Sequence, residues 1–217
     1  KARSFSRKGK IAEAIEQLQQ ILIDFPENYR AKAAIAELNE RDDSKLRALP
    51  SDITKRITSM YTNGQFTNVV EYAEQLINVF PSSLLLWNLK SSSEFRLNRL
   101  EKAEAGFRFI NQLNPNHPDG YNSLGNVLRS LSRFDEAIES YKKTISLSPN
   151  HFHALYNLGL TFHSIEDFEN AIENYKKTIE LKPDFKEAYY RIGLAFRNAK
   201  FKNYREELQH TIVSLLE

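Results

Sequence analysis

The chain has 217 residues, 41% of them apolar and 27% charged, with 30 basic against 28 acidic side chains and no cysteine. This composition can bury a core and excludes a disordered chain; the near balance of charge disfavours a polyanion partner, and the missing thiols remove disulfides, thiolate metal sites and cysteine nucleophiles together. No run approaches the roughly 20 apolar residues of a membrane helix, so neither nucleic acid nor membrane is expected as a partner, and a cytoplasmic location is the default expectation.

In chain order, residues 1–39 predict a partial helix hairpin followed by an extra helix from about Asn28 to Asn39, carried by Ala31, Ala33, Ala34, Ile35 and Leu38. Residues 40–49 read as a charged linker containing Arg-Asp-Asp-Ser. Gly9 to Gly64 and Pro26 to Pro81 are both 55 residues apart, so one hairpin recurs across an irregular insert. The region 1–39 is therefore expected to be a separate part whose joint can bend. Residues 50–217 predict five helix hairpins, the last of them atypical.

Within that last stretch Pro81, Pro115, Pro149 and Pro183 recur every 34 residues, and Gly125, Gly159 and Gly193 keep the same step. A fixed period of this length marks a stacked array of one helix-turn-helix unit. From Ala137 and again from Ala171 the chain reads Ala-Ile-Glu-x-Tyr-Lys-Lys-Thr-Ile-x-Leu-x-Pro. Phe134, Ala137, Ile138, Tyr141 and Ile145, and their counterparts Phe168, Ala171, Ile172, Tyr175 and Ile179, fall at helical spacing and form the second helix of each hairpin. The proline stops it, having no amide hydrogen and disfavouring helix in the residue before it.

These residues resemble the tetratricopeptide repeat, whose pattern runs aromatic, Leu-Gly, aromatic, Ala, aromatic and a closing Pro. One unit supplies Tyr121, Leu124, Gly125, Leu128, Ala137, Tyr141 and Pro149; the next supplies Leu155, Leu158, Gly159, Phe162, Ala171, Tyr175 and Pro183. Upstream, Trp87, Ala103, Phe107 and Pro115 keep the pattern, but Lys90 and Ser91 replace Leu-Gly, and a slightly wider packing is expected there. Downstream, Tyr189, Ile192, Gly193 and Phe196 fit a first helix, whereas Arg205 and Gln209 break the second. The resemblance implies an all-α, right-handed superhelical solenoid of antiparallel hairpins. The apolar stripe Tyr204, Leu208, Ile212 and Leu215 suggests that a further domain packs on the terminal helix, and the chain reads as a module of a larger protein.

By the same resemblance, a second stripe on each first helix lines a groove for a protein or peptide. Its beginning is rich in hydroxyls: Ser51, Thr54, Thr58 and Tyr61, then Leu85, Asn88, Ser92 and Phe95. The candidate site lies further on, at Asn122, Asn126, Arg129, His153, Tyr156, Asn157, Leu160, His163, Tyr190, Arg191, Leu194 and Arg197. Two readings of Tyr156 and Tyr190 stand open: contact with a peptide, or packing between adjacent first helices. Some relatives clamp a C-terminal carboxylate with lysines, asparagines and an arginine; Asn126, Asn157 and Arg191 hold three of those places, but Asn122 and Glu187 replace the two lysines, which weakens such a clamp.

The asparagine ladder of the repeats in protein O-linked sugar transferases is absent. An architectural likeness to bacterial multidomain transferases leaves an alternative, a substrate-presenting region before a catalytic domain, and a second alternative is a homo-oligomerisation module. No catalytic motif or cofactor-binding loop occurs, so this segment is not expected to be an enzyme or to need a cofactor. His153 and His163 lie about 15 Å apart along one helix, too far to share a metal ion.

Overall fold

The computed structural model describes residues 11–40 and 49–200. All the regular structure among them is helical: α1 Ile11–Asp24, α2 Tyr29–Glu40, α3 Ser51–Thr62, α4 Phe66–Ile77, α5 Leu84–Arg96, α6 Leu100–Leu113, α7 Pro118–Ser130, α8 Phe134–Leu147, α9 Phe152–Ser164 and α10 Phe168–Leu181, with residues 186–200 forming α11. The predicted extra helix is α2, one residue displaced at each end, and the Asn28 carboxamide caps its start by accepting from the Ala31 amide at 3.1 Å. The stripe predicted over residues 204–215 and the charged segment 41–48 lie outside the described residues.

The chain divides into two compact units, Lys1–Leu113 and Asn114–Glu217. In the first unit, α1 packs on α2, α3 on α4 and α5 on α6, and α4 also packs on α5. Ala14, Ile15, Leu22 and Ile35 share one core with Ile53, Ile57, Val69, Leu76 and Leu86, so α1 and α2 bury their apolar face together with the hairpins that follow the linker. Each such aliphatic side chain taken out of water contributes about 1.5–3 kcal/mol. In the second unit α7 packs on α8, α8 on α9, and α9 on α10.

Four hairpins turn in the same way. The amides of Gln65, Arg99, Arg133 and Asp167 donate to the carbonyls of Met60, Glu94, Leu128 and Phe162, five residues back, at 3.0, 2.8, 2.9 and 2.9 Å. This is the Schellman ending, which needs a left-handed residue just before the donor. Gly64, Asn98, Ser132 and Glu166 fill that place with φ of 73°, 58°, 58° and 60°, spaced like the prolines. Only one of the four is glycine.

Close helix approach follows the predicted small residues, with one exchange. At Gly125 and Gly159 an added Cβ would come within 2.6 Å of Cε1 of Tyr141 and Tyr175 respectively. Ser91, in the equivalent place of α5, is buried and donates its hydroxyl to the Trp87 carbonyl at 2.7 Å. The expected wider packing there is corrected by Gly106 of α6, whose missing Cβ leaves room for the Ser91 side chain. The small residue has changed helices, and the contact stays tight.

Candidate functional site

All the candidate residues belong to the second unit. Asn122, Asn126 and Arg129 lie on α7; His153, Tyr156, Asn157, Leu160 and His163 on α9; Tyr190, Arg191, Leu194 and Arg197 on α11. Residues three and four apart on a helix share a face. The three groups are therefore set out on successive first helices, with the second helices α8 and α10 packed behind them.

Several of these side chains are occupied by the fold itself. The Asn157 amide donates to Asn122 Oδ1 at 3.2 Å, tying α9 to α7. Asn126 Oδ1 accepts from the Tyr141 hydroxyl at 2.8 Å. Both asparagines of the clamp-like set thus already hold an internal bond. The Tyr156 ring is half-buried and meets the rings of Tyr175 and Phe185 at centroid distances of 5.8 and 5.0 Å. It packs with Leu160 against the core of Phe168, Ala171, Tyr175 and Ala195. Tyr190, by contrast, is 70% exposed, and Arg197 on the same face is also exposed.

Tyr141 and Tyr175 are fully buried, and burial pushes the Tyr141 phenol up to about 12, against the opposing charge and hydrogen bond of Arg129 and the neighbouring Thr161 hydroxyl. Burial raises Tyr175 further, while the charges of Arg191 and Arg129 oppose the shift. Unlike Tyr141, the Tyr175 hydroxyl has no hydrogen-bond partner. His163 is held below its ordinary value first by burial and then by the Arg191 charge. Its Nε2 lies 3.1 Å from the Asn198 amide nitrogen, and its ring meets Phe168 edge-on at 5.3 Å.

His153 stacks on Phe152 at 3.9 Å and is also lowered by burial, then by His151. His151 is itself engaged, Nδ1 accepting from the Ala154 amide and Nε2 lying 3.0 Å from Asp119 Oδ1. Among the described residues no group of three or more His, Asp or Glu side chains gathers as a metal site, and no helix is long and apolar enough to cross a membrane.

Residue spacing did not single out Phe185, Asn198 or the two phenolic oxygens. Phe107 stands where Tyr141 and Tyr175 stand in the later units. That gain of a hydroxyl at a core position was the available signal, since a buried phenol calls for a polar neighbour.

The repeat geometry and the comparisons agree. Tetratricopeptide repeat models match residues 1–51, 125–166 and 153–185, together a little over half of the chain. The chain belongs to the tetratricopeptide repeat family. No protein of curated function matches it.

Similar solved structures include a MamA fragment from Desulfovibrio magneticus RS-1, 18% identical, with a TM-score of 0.61 over 76% of this chain and 94% of that one. YrrB, described as a TPR protein with an unusual peptide-binding site, is 19% identical, with a TM-score of 0.59 over 87% and 95%. The first TPR of Spaghetti (RPAP3), bound to the HSP90 peptide SRMEEVD, is 17% identical, with a TM-score of 0.53 over 54% and 93%. At these identities the likeness is one of fold.

Proposed function

We propose that the chain is an interaction scaffold that holds a peptide or protein segment along the first-helix face of α7, α9 and α11. The observation that carries this reading is Tyr190, a large aromatic left 70% exposed with Leu194 and Arg197 on the same face of α11. Aromatic and arginine side chains are the types most often energetic at interfaces, because they bury much area and still satisfy polar neighbours. The peptide-bound RPAP3 repeat and the peptide site described for YrrB support the same use of the fold.

The binding stripe is narrower than the twelve candidates. Tyr156 and Leu160 serve packing, Asn122, Asn126 and Asn157 serve internal bonding, and His153 and His163 are held against Phe152 and Asn198, which leaves Tyr190, Leu194, Arg197 and the partly exposed Arg129 and Arg191 as the contact set. Peptides selected by phage display on the full chain test it. Tyr190→Ala and Arg197→Ala are expected to weaken the selected peptides about tenfold or more, the range of an interface hot spot. Unchanged affinity in both variants overturns the groove reading.

A further inference from the structure

Two first helices of the second unit show what covers their hairpin face, and the third leaves that face open. In α7 and α9 the glycines Gly125 and Gly159 are buried, and an added Cβ at each would come within 2.6 Å of the ring of Tyr141 or Tyr175 on the following helix. Ala137 and Ala171, four residues before those rings, are fully buried as well. One repeat later, Gly193 of α11 is exposed, and nothing among the described residues lies within 4 Å of its Cβ position.

The rest of that face is open with it. Tyr189 and Phe196 are 51% and 54% exposed, whereas Leu155 and Leu128, in the equivalent places of α9 and α7, are buried. Tyr189, Ile192, Gly193 and Phe196 stand three and four residues apart and so share one side of α11. Another side is anchored, with Ala188 and Ala195 buried and Ala195 packed in the core of Phe168, Ala171 and Tyr175. The open face is turned by about 100° from the stripe of Tyr190, Leu194 and Arg197, which makes it a surface beside the groove.

In α7 and α9 the occupant of this place is a second helix that offers a small residue and, four positions on, an aromatic ring. The chain's own continuation does not fit: one repeat beyond Ala171 and Tyr175 stand Arg205 and Gln209. In those places they would bury an unpaired charge and an amide where a methyl and a ring belong. The helices that do carry the pattern, α6 with Ala103 and Phe107, α8 and α10, bury it in their own hairpins, so a second copy has none to give. Charge narrows the occupant further. Arg197 and Lys200 are exposed in the last turn of α11, where an antiparallel helix brings its first turn. Acidic residues there meet these cations and suit the helix dipole, and α8 and α10 begin in this way with Asp135, Glu136 and Glu169.

We propose that the face of Tyr189, Ile192, Gly193 and Phe196 docks one amphipathic helix of a different protein, which seats an aromatic ring on Gly193. Its sequence carries acidic residues in the first turn, then a small residue with the aromatic one four positions later.

The test is 15N NMR of the full chain with a synthetic acetylated and amidated peptide of residues 167–182, which copies α10 together with its Asp167 cap. The expected result is saturable displacement of the Ile192, Gly193 and Phe196 signals. The same peptide with Ala171→Arg and Tyr175→Gln should bind at least tenfold more weakly, as for loss of an aromatic anchor. In the chain, Gly193→Ala sets a Cβ in the path of the ring and should weaken the parent peptide about tenfold.

No saturable displacement, or equal binding of the two peptides, overturns the proposal. Displacement confined to Tyr190 and Leu194 overturns it too and leaves the groove reading standing. Signals of this face that move with chain concentration before peptide is added assign it to a second copy. A stability loss in Gly193→Ala as large as that in Gly125→Ala assigns it to the chain's own continuation, and either result overturns the foreign helix.

Discussion

The ring of Tyr141 lies against the bare Cα of Gly125, so that a Cβ there would stand 2.6 Å from Cε1 and 2.8 Å from Cζ. Real Cβ contacts do not come this close, and the clashing atoms belong to a fully buried ring that cannot swing away. Gly125→Ala and Gly159→Ala gain up to about 1 kcal/mol of helix propensity but lose about 1–3 kcal/mol to overpacking. The expected net effect is a loss of about 1–2 kcal/mol in urea denaturation. At Gly193, mid-way along α11, nothing described lies within 4 Å of the Cβ position. Gly193→Ala is therefore expected to be neutral or to stabilise by up to about 1 kcal/mol, and a loss as large as that of Gly125→Ala would contradict this account.

The exchange at Ser91 and Gly106 predicts a coupling. Gly106→Ala drives a methyl into the Ser91 hydroxyl, and Ser91→Gly removes that obstacle along with the bond to the Trp87 carbonyl. The double variant should recover part of the loss of Gly106→Ala, giving an interaction energy of about 0.5–3 kcal/mol in a double-mutant cycle. Strict additivity would mean that the two residues do not meet in solution.

The hairpin turns give a third test. Ser132 holds φ of 58°, where an L side chain costs roughly 1 kcal/mol or more. Ser132→Gly removes that strain at an exposed turn and should raise stability by about 1 kcal/mol, less the added entropy of the unfolded glycine. Gly64→Ala at φ of 73° should lower it by a similar amount. Thermal melts of the two variants moving in the same direction would sink the argument.

Much of the fold was legible because the repeat reports itself at several places at once. Proline, glycine and the aromatic core positions share one step, and no other architecture demands all three. Glu94 shows where this reading runs out. It stands one period before Leu128, where an apolar residue is expected, yet it is fully buried. Its carboxylate pairs with Arg99 at 3.3 Å and lies 3.9 Å from Lys90, which also reaches Glu74 at 3.4 Å.

The paired lysine and arginine were visible in the sequence, but their meaning depended on burial. The groove was harder still. Tyr156 and Tyr190 hold equivalent places in successive units, yet Tyr156 packs against the rings of Tyr175 and Phe185 while Tyr190 is exposed. Stripe arithmetic assigns both to one face and cannot see the ring that fills it.

Glu94 also yields a prediction, since a buried ion pair contributes less than it costs to break. Glu94→Leu restores the apolar residue of the later repeats, leaves Lys90 paired with Glu74 and leaves Arg99 in solvent, so stability should stay within about 1 kcal/mol of the parent or rise. Replacing Lys90 and Arg99 together by Ala strands the carboxylate and should cost about 3 kcal/mol or more. Urea midpoints separate the two outcomes, and a large loss in Glu94→Leu would mean that the network, rather than its burial, holds the α5–α6 hairpin.

The phenols give the alkaline edge of stability. Burial raises Tyr141 to about 12 in the folded chain, while in the unfolded chain it titrates near its ordinary 10.0. Below pH 10 both states keep the proton and the contribution is complete. As pH rises from 10 toward 12 the unfolded state releases its proton first, so stability falls by about 1.4 kcal/mol per pH unit for this group. Tyr175, raised in the same sense, adds a second slope.

Phenylalanine variants separate the two rings. Tyr141→Phe loses the bond to Asn126 and should cost about 1 kcal/mol at pH 7, whereas Tyr175→Phe removes an unpaired hydroxyl and should be neutral or stabilising there. Both should flatten the decline above pH 10. Equal losses at pH 7 would show that the Tyr175 hydroxyl has a hydrogen-bond partner after all.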